Sequence, residues 1–191
     1  SGRIWRVVPK GAELQEPPKI AGASVADLLE NLKAREYRYR YWTRRELRER
    51  DRAEVASALD SWVAALDKND PRLRHHQVEA LWVYRGINES RPALLDELLN
   101  CDEPLARGAA TQQLRHSMAD VGQLAERAKD ESQIVRLEAA NAASYIGTRA
   151  ALDAILPILD QPMGDHLKYA MTCSLGSAAL LKHWQADADL K

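Results

Sequence analysis

The sequence predicts an all-α chain, a right-handed α-solenoid of about five helix–turn–helix repeats with a short extended N-terminal arm. Three observations predict it. A basic residue recurs at near-constant spacing, small or apolar residues follow it at helical offsets, and a second amphipathic segment precedes it each time.

The basic positions are Arg40, Arg74, Arg107, Arg136 and Lys168, separated by 34, 33, 29 and 32 residues. Seven residues after each stands Leu47, Leu81, Leu114, Ala143 or Leu175, and three or four after each come Thr43, Val78, Ala110, Ala139 or Met171. These offsets fall on one face of a helix. The preceding helices begin with Val25, Leu28, Leu29 and Leu32, and then Val55, Leu59, Trp62, Val63 and Leu66. Leu94, Leu95, Leu98 and Leu99 follow, then Val121, Leu124 and Ala128, then Leu152, Ile155, Leu156 and Leu159. Breakers separate the paired helices: Asn69-Asp70-Pro71, Asp102-Glu103-Pro104 and Gln161-Pro162-Met163-Gly164. Pro71 and Pro104 stand where helices commonly begin. Residues 1–20 are expected to form the arm and a linker, and residues 21–191 the repeat domain.

Composition narrows the function classes. The chain has 191 residues, 46% hydrophobic and 29% charged, the balance of a folded rather than a disordered polypeptide. A net charge of −1 gives no global attraction to nucleic acid or to an anionic membrane. No apolar run is long enough for a membrane span. Cys101 and Cys173 fall in different repeats without a Cys-x-x-Cys spacing and read as ordinary thiols.

Val135-Arg136-Leu137-Glu138-Ala139 and Ala106-Arg107-Gly108-Ala109-Ala110 resemble the second-helix motif of HEAT repeats. A narrower likeness lies between Arg40 and Trp82, in Arg44-Arg45-Glu46-Leu47-Arg48, Trp62-Val63, Asp67-Lys68-Asn69-Asp70-Pro71 and His75-His76-Gln77-Val78-Glu79-Ala80-Leu81-Trp82. This stretch resembles the HEAT region of large multidomain dehydrogenase-like proteins of planctomycetes and their relatives. In that family a sorbosone-dehydrogenase-like propeller precedes the repeats and a c-type cytochrome domain often follows. The resemblance implies that residues 2–11 are a last propeller strand, that residues 11–18 are a linker, and that the parent protein is secreted or periplasmic. This chain has no Cys-x-x-Cys-His, so it carries no haem site of that type.

No phosphate loop, Gly-x-Ser-x-Gly elbow or His-Glu-x-x-His helix occurs, so no catalytic residue and no cofactor are expected. His75, His76 and Glu79 supply too few ligands from one helix for zinc, even with His116 nearby, so no metal site is expected. The run from Lys33 to Arg52 holds nine basic and four acidic residues, a local charge of +5 against −6 for the rest. With Tyr37, Tyr39, Tyr41 and Trp42 interleaved, this patch makes a nucleic-acid-binding protein the alternative reading. Against it, arginines mixed with glutamates read as an ion-paired face, and Glu79, Gln112 and Glu138 are expected to interrupt any basic stripe.

The wheel places the basic anchors on the apolar face, where they are expected to pack between repeats and pair with turn acids such as Asp70 or Asp102. Positions one, two, five and nine after each anchor then lie on the opposite, exposed face. They give the candidate binding residues Trp42, Arg45, His76, Glu79, Gln112, His116, Asn141 and Tyr145. Aromatics, arginine and amides suit a protein partner. The function expected is therefore a non-catalytic scaffold or docking module that orients other domains of a larger dehydrogenase-like protein.

Overall fold

The computed structural model describes residues 2–3, 5, 7–8, 10–11, 16–117 and 121–186. Among them it is all-helical, without strands: α1 (Val25–Asn31), α2 (Tyr37–Arg48), α3 (Arg52–Ala64), α4 (Leu73–Gly86), α5 (Pro92–Leu99) and α6 (Pro104–Ser117). Then come α7 (Val121–Arg127), α8 (Gln133–Ile146), α9 (Arg149–Ile155), a 3-10 turn (Leu156–Ile158), α10 (Asp165–Leu175) and α11 (Ala178–Gln185). Each expected helix pair is present. The extended arm forms no strand among the described residues, and much of it, including Ile4, Arg6, Pro9 and residues 12–15, lies outside them. No helix among the described residues is long and apolar enough to cross a membrane.

Local chemistry starts the helices. The Ser24 hydroxyl accepts from Asp27 N, the Asp51 carboxylate from Glu54 N and the Thr148 hydroxyl from Ala151 N, each satisfying an orphan first-turn amide. Pro92 and Pro104 open α5 and α6, where a missing N–H costs nothing. Gly147 closes α8 at φ 67°, and a Cβ there would also sit 2.9 Å from Ala179 Cβ.

Helices pack against their chain neighbours and, repeatedly, against the next but one: α2 on α4, α4 on α6, α6 on α8, α8 on α10, with α1 on α3, α7 on α9 and α9 on α11. The buried leucines of the first helices face the second helices across this seam. Leu28, Leu59, Leu98, Leu124 and Leu152 are all fully buried. Between α6 and α8 the residues are small, with Ala106, Ala110, Ala139, Ala140 and Ala143 buried. Gly108 lets Ile134 approach so closely that a Cβ would lie 2.9 Å from its methyl.

Guanidinium groups tie the turns. Arg40 Nη1 donates to Ala34 O and Arg35 O, Arg107 Nη1 to Cys101 O, and Arg136 Nη1 to Asp130 O and Glu131 O. Each is the fourth residue of its helix and reaches back to the turn before it. The same side chains reach into the next helix pair: Arg40 Nε to Glu79 (2.8 Å), Arg107 to both oxygens of Asp130 (2.9 and 3.0 Å), and Arg136 Nη2 to Pro162 O (2.9 Å). The expected partners Asp70 and Asp102 do not serve these arginines; Glu79, Asp130, Glu131 and turn carbonyls do.

Two anchors depart from expectation. Lys168 is exposed. In the second helix pair Pro71 lies in the turn rather than at the helix start, so α4 begins at Leu73 and its fourth residue is His76, not Arg74. His76 is buried and its Nε2 lies 3.3 Å from Asp70, back in the turn. Arg74 is half-buried and pairs at the edge with Glu97.

Glu79 is fully buried between Arg40 and Arg44. Glu79→Ala leaves two guanidinia unpaired and is expected to cost about 3–5 kcal/mol in chemical denaturation, whereas Glu97→Ala at the exposed edge should cost about 0–1 kcal/mol. Equal losses would mean that the buried pair contributes no more than a surface one.

Candidate functional site

The shift of α4 rearranges the expected binding face. Glu79 stands three residues after the true anchor, the position taken by the buried residues Thr43, Ala110, Ala139 and Met171. His76 and Glu79 are therefore buried, with 2% and 0% exposure, and the expectation that they are displayed is corrected. The other candidates divide by exposure. Trp42, Arg45, His116 and Tyr145 are exposed, while Gln112 and Asn141 are half-buried beside Glu138. Burial pushes the Glu138 carboxyl above its ordinary range, against the Asn141 and Gln112 hydrogen bonds and the Arg115 charge.

The exposed side of α2, α4 and α6 encloses a cleft of about 340 Å³. Arg44, Arg45 and Arg48 line it from α2, Trp82 and Arg85 from α4, and Gln112 and Arg115 from α6, with Tyr37 and Tyr41 at one wall. Among the described residues, five guanidinia and no carboxylate form this lining. Arg44 is held from below by Glu79 and sandwiched between the rings of Tyr37 (5.6 Å) and Trp82 (5.1 Å). Arg115 lies 5.1 Å over the Tyr145 ring, and Arg45 lies 5.0 Å over Trp42. Among the described residues no carboxylate is within ion-pair distance of Arg45, Arg48, Arg85 or Arg115.

Arg85 and Arg115 both point a donor at His116 Nε2, at 3.2 and 3.0 Å. That atom then serves as the acceptor of a neutral imidazole, and burial with the two cations holds His116 below its ordinary value. Burial and the neighbouring Arg115 and Arg44 likewise lower Arg85. Trp42 and Arg45 also border a second hollow with Ile20, Ala21, Glu46 and Glu49, where the incoming chain runs beside α2.

Sequence reasoning missed Trp82, Arg85 and Arg115 as parts of the site, and gave Arg44 and Arg48 only as members of the basic run. Arg85 falls on the same helical phase as His116 and Tyr145 once α4 is counted from His76, nine residues on in each case. The signal was the helix start, and alignment on Arg74 concealed it.

Nor do the histidines converge on a metal. The Glu79 carboxylate is occupied by Arg40 and Arg44, His76 faces Asp70, and His116 takes arginine donors. Among the described residues no group of three His, Cys, Asp or Glu side chains is placed to hold a metal ion.

Burial holds His75 and His76 below the ordinary imidazole value; Arg40 and Arg72 add to this for His75 and Arg72 and Lys33 for His76, while Glu79 and Asp70 oppose it. The unfolded chain therefore takes up these protons first, and stability is expected to fall as pH drops through about 6.5. The lowered carboxylates Asp60, Asp70, Glu89 and Glu97 act in a separate window, losing their contribution below about pH 4. Urea midpoints taken between pH 7.5 and 5 should decline for the parent chain and decline less for His75→Gln/His76→Gln, the remaining slope coming from His116. A parent profile flat over that range contradicts the buried neutral imidazoles.

No family model matches the chain, and no curated protein matches it. The geometry of the cleft therefore carries the functional reading.

Proposed function

We propose that the chain is a non-catalytic docking module, a right-handed α-solenoid of HEAT-like repeats whose exposed second-helix face receives another protein part. The alternate-helix packing and the recurring turn clamp support the repeat architecture. One contrast carries the docking reading. The guanidinia of Arg40, Arg107 and Arg136 beneath the surface are bonded on both sides, whereas Arg45, Arg48, Arg85 and Arg115 stand around an open cleft without a carboxylate. Cations gathered beside tyrosine and tryptophan are the residue types that dominate interface energetics. On the family resemblance, the docked part is a neighbouring domain of a secreted or periplasmic dehydrogenase-like parent.

A second reading, single-stranded nucleic acid in the same cleft, gains from one observation. Glu79, expected to break the basic stripe, is buried, and Arg85 and Arg115 extend the basic surface beyond residues 33–52.

In the parent protein with its flanking segments, Arg85→Glu/Arg115→Glu should leave the melting temperature within a few degrees, roughly the effect of surface changes. It should also release the docked part, read as a larger radius of gyration in solution scattering. Unchanged scattering would remove the docking reading. Submicromolar, salt-sensitive DNA binding lost on Arg45 and Arg48 replacement would promote the second.

A further inference from the structure

We propose that the ligand of the α2–α4–α6 cleft is an acidic, extended polypeptide segment whose carboxylates bridge the arginine rows. This rests on the docking reading and names the chemistry of what docks.

The charge balance asks for an anion. Arg44, Arg45, Arg48, Arg85 and Arg115 converge on one cleft whose lining includes no acid among the described residues, within a chain of net charge −1. Among the described residues, Arg44 alone of the five has a carboxylate within ion-pair distance, that of Glu79. Like charges held together repel, and a bound anion relieves that repulsion. All the cations are arginines, whose planar forks grip carboxylates through two parallel hydrogen bonds.

Geometry favours an extended strand. Packed helices lie about 8–10 Å apart, and same-side residues of an extended peptide repeat every 6.6–6.8 Å or so. Carboxylates two residues apart thus come within reach of arginines from successive second helices, whose long side chains take up the difference in spacing. Tyr37, Tyr41 and Trp82 offer apolar contact to the stems between them.

The cationic stretch is short, which favours a peptide over nucleic acid. On α8 the face turns to Glu138 and Asn141, and beyond residues 33–52 the chain carries a net −6. A long polyanion overruns the cleft into repulsive surface, whereas a short acidic segment ends with it. Single strands typically occupy roughly 4–16 nucleotides per binding fold.

Fluorescence anisotropy on the full chain tests this with three labelled probes: a peptide of about twelve residues with alternating glutamates, its glutamine counterpart, and an oligothymidylate of similar span. The acidic peptide is expected to bind at micromolar concentration, at least about tenfold more tightly than either comparator, and to weaken with salt. Arg48→Ala/Arg85→Ala should weaken it about tenfold or more, while Arg38→Ala, exposed in the same basic run but outside the cleft, should not. Circular dichroism of each variant confirms the fold; if the double variant unfolds, Arg48→Gln alone serves as the probe. Equal binding of the glutamine peptide, tighter binding of the oligonucleotide, or equal weakening by Arg38→Ala overturns the proposal. Failure of the peptide alongside Arg85/Arg115-dependent compaction of the parent protein overturns the acidic ligand and leaves docking intact. Failure of both removes docking as well.

Discussion

The fold depends on a guanidinium that closes the turn behind it and grips the helix pair in front. The turn at Asp130–Glu131 shows the arrangement most fully. Arg136, from the helix that follows, donates to the carbonyls of Asp130 and Glu131, and Arg107, from the preceding repeat, clasps the Asp130 carboxylate with two bonds. The same carboxylate accepts from Ser132 N and so shapes the turn itself. Carbonyls that a tight turn would leave unpaired at the edge of the core gain charged donors. Leucine and alanine burial supplies cohesion without direction; the arginines fix the register at which one helix pair lies on the next.

This register also sets what is displayed. Where the fourth residue of a second helix points into the turn, residues on the other side of that helix must point outward, and three such helices side by side bring Arg48, Arg85 and Arg115 to one cleft. The buried ion pairs and the open arginines are two faces of one arrangement. Glu79 links them, being fully buried while fixing Arg44 at the floor of the cleft between two aromatic rings.

Helix identity and pairing were legible in the sequence because periodicity and turn breakers agreed. Leu28, Leu59, Leu98, Leu124 and Leu152 are core residues, as their spacing indicates. The anchors at Arg40, Arg107 and Arg136 were legible as buried, yet their acceptors were not, since backbone carbonyls leave no trace in side-chain identity. The second repeat misled for a physical reason. Arg74 has the right charge, but Pro71 is held in a turn, Leu73 N bonds Asp70 O, and the helix starts late enough for His76 to take the anchoring place. Every exposed position inferred from Arg74 was thereby displaced, which put His76 and Glu79 on the wrong side and hid Arg85.

The coupling between Arg107 and Asp130 tests the clamp most directly. Both side chains are 9% exposed and joined by two hydrogen bonds across the repeat boundary. A double-mutant cycle of Arg107→Ala and Asp130→Ala, followed by chemical denaturation, isolates that pair from the surrounding apolar packing. The account predicts a favourable coupling of about 1–3 kcal/mol, while a coupling near zero, about 0.3 kcal/mol or less, would contradict it and leave the register to apolar packing alone.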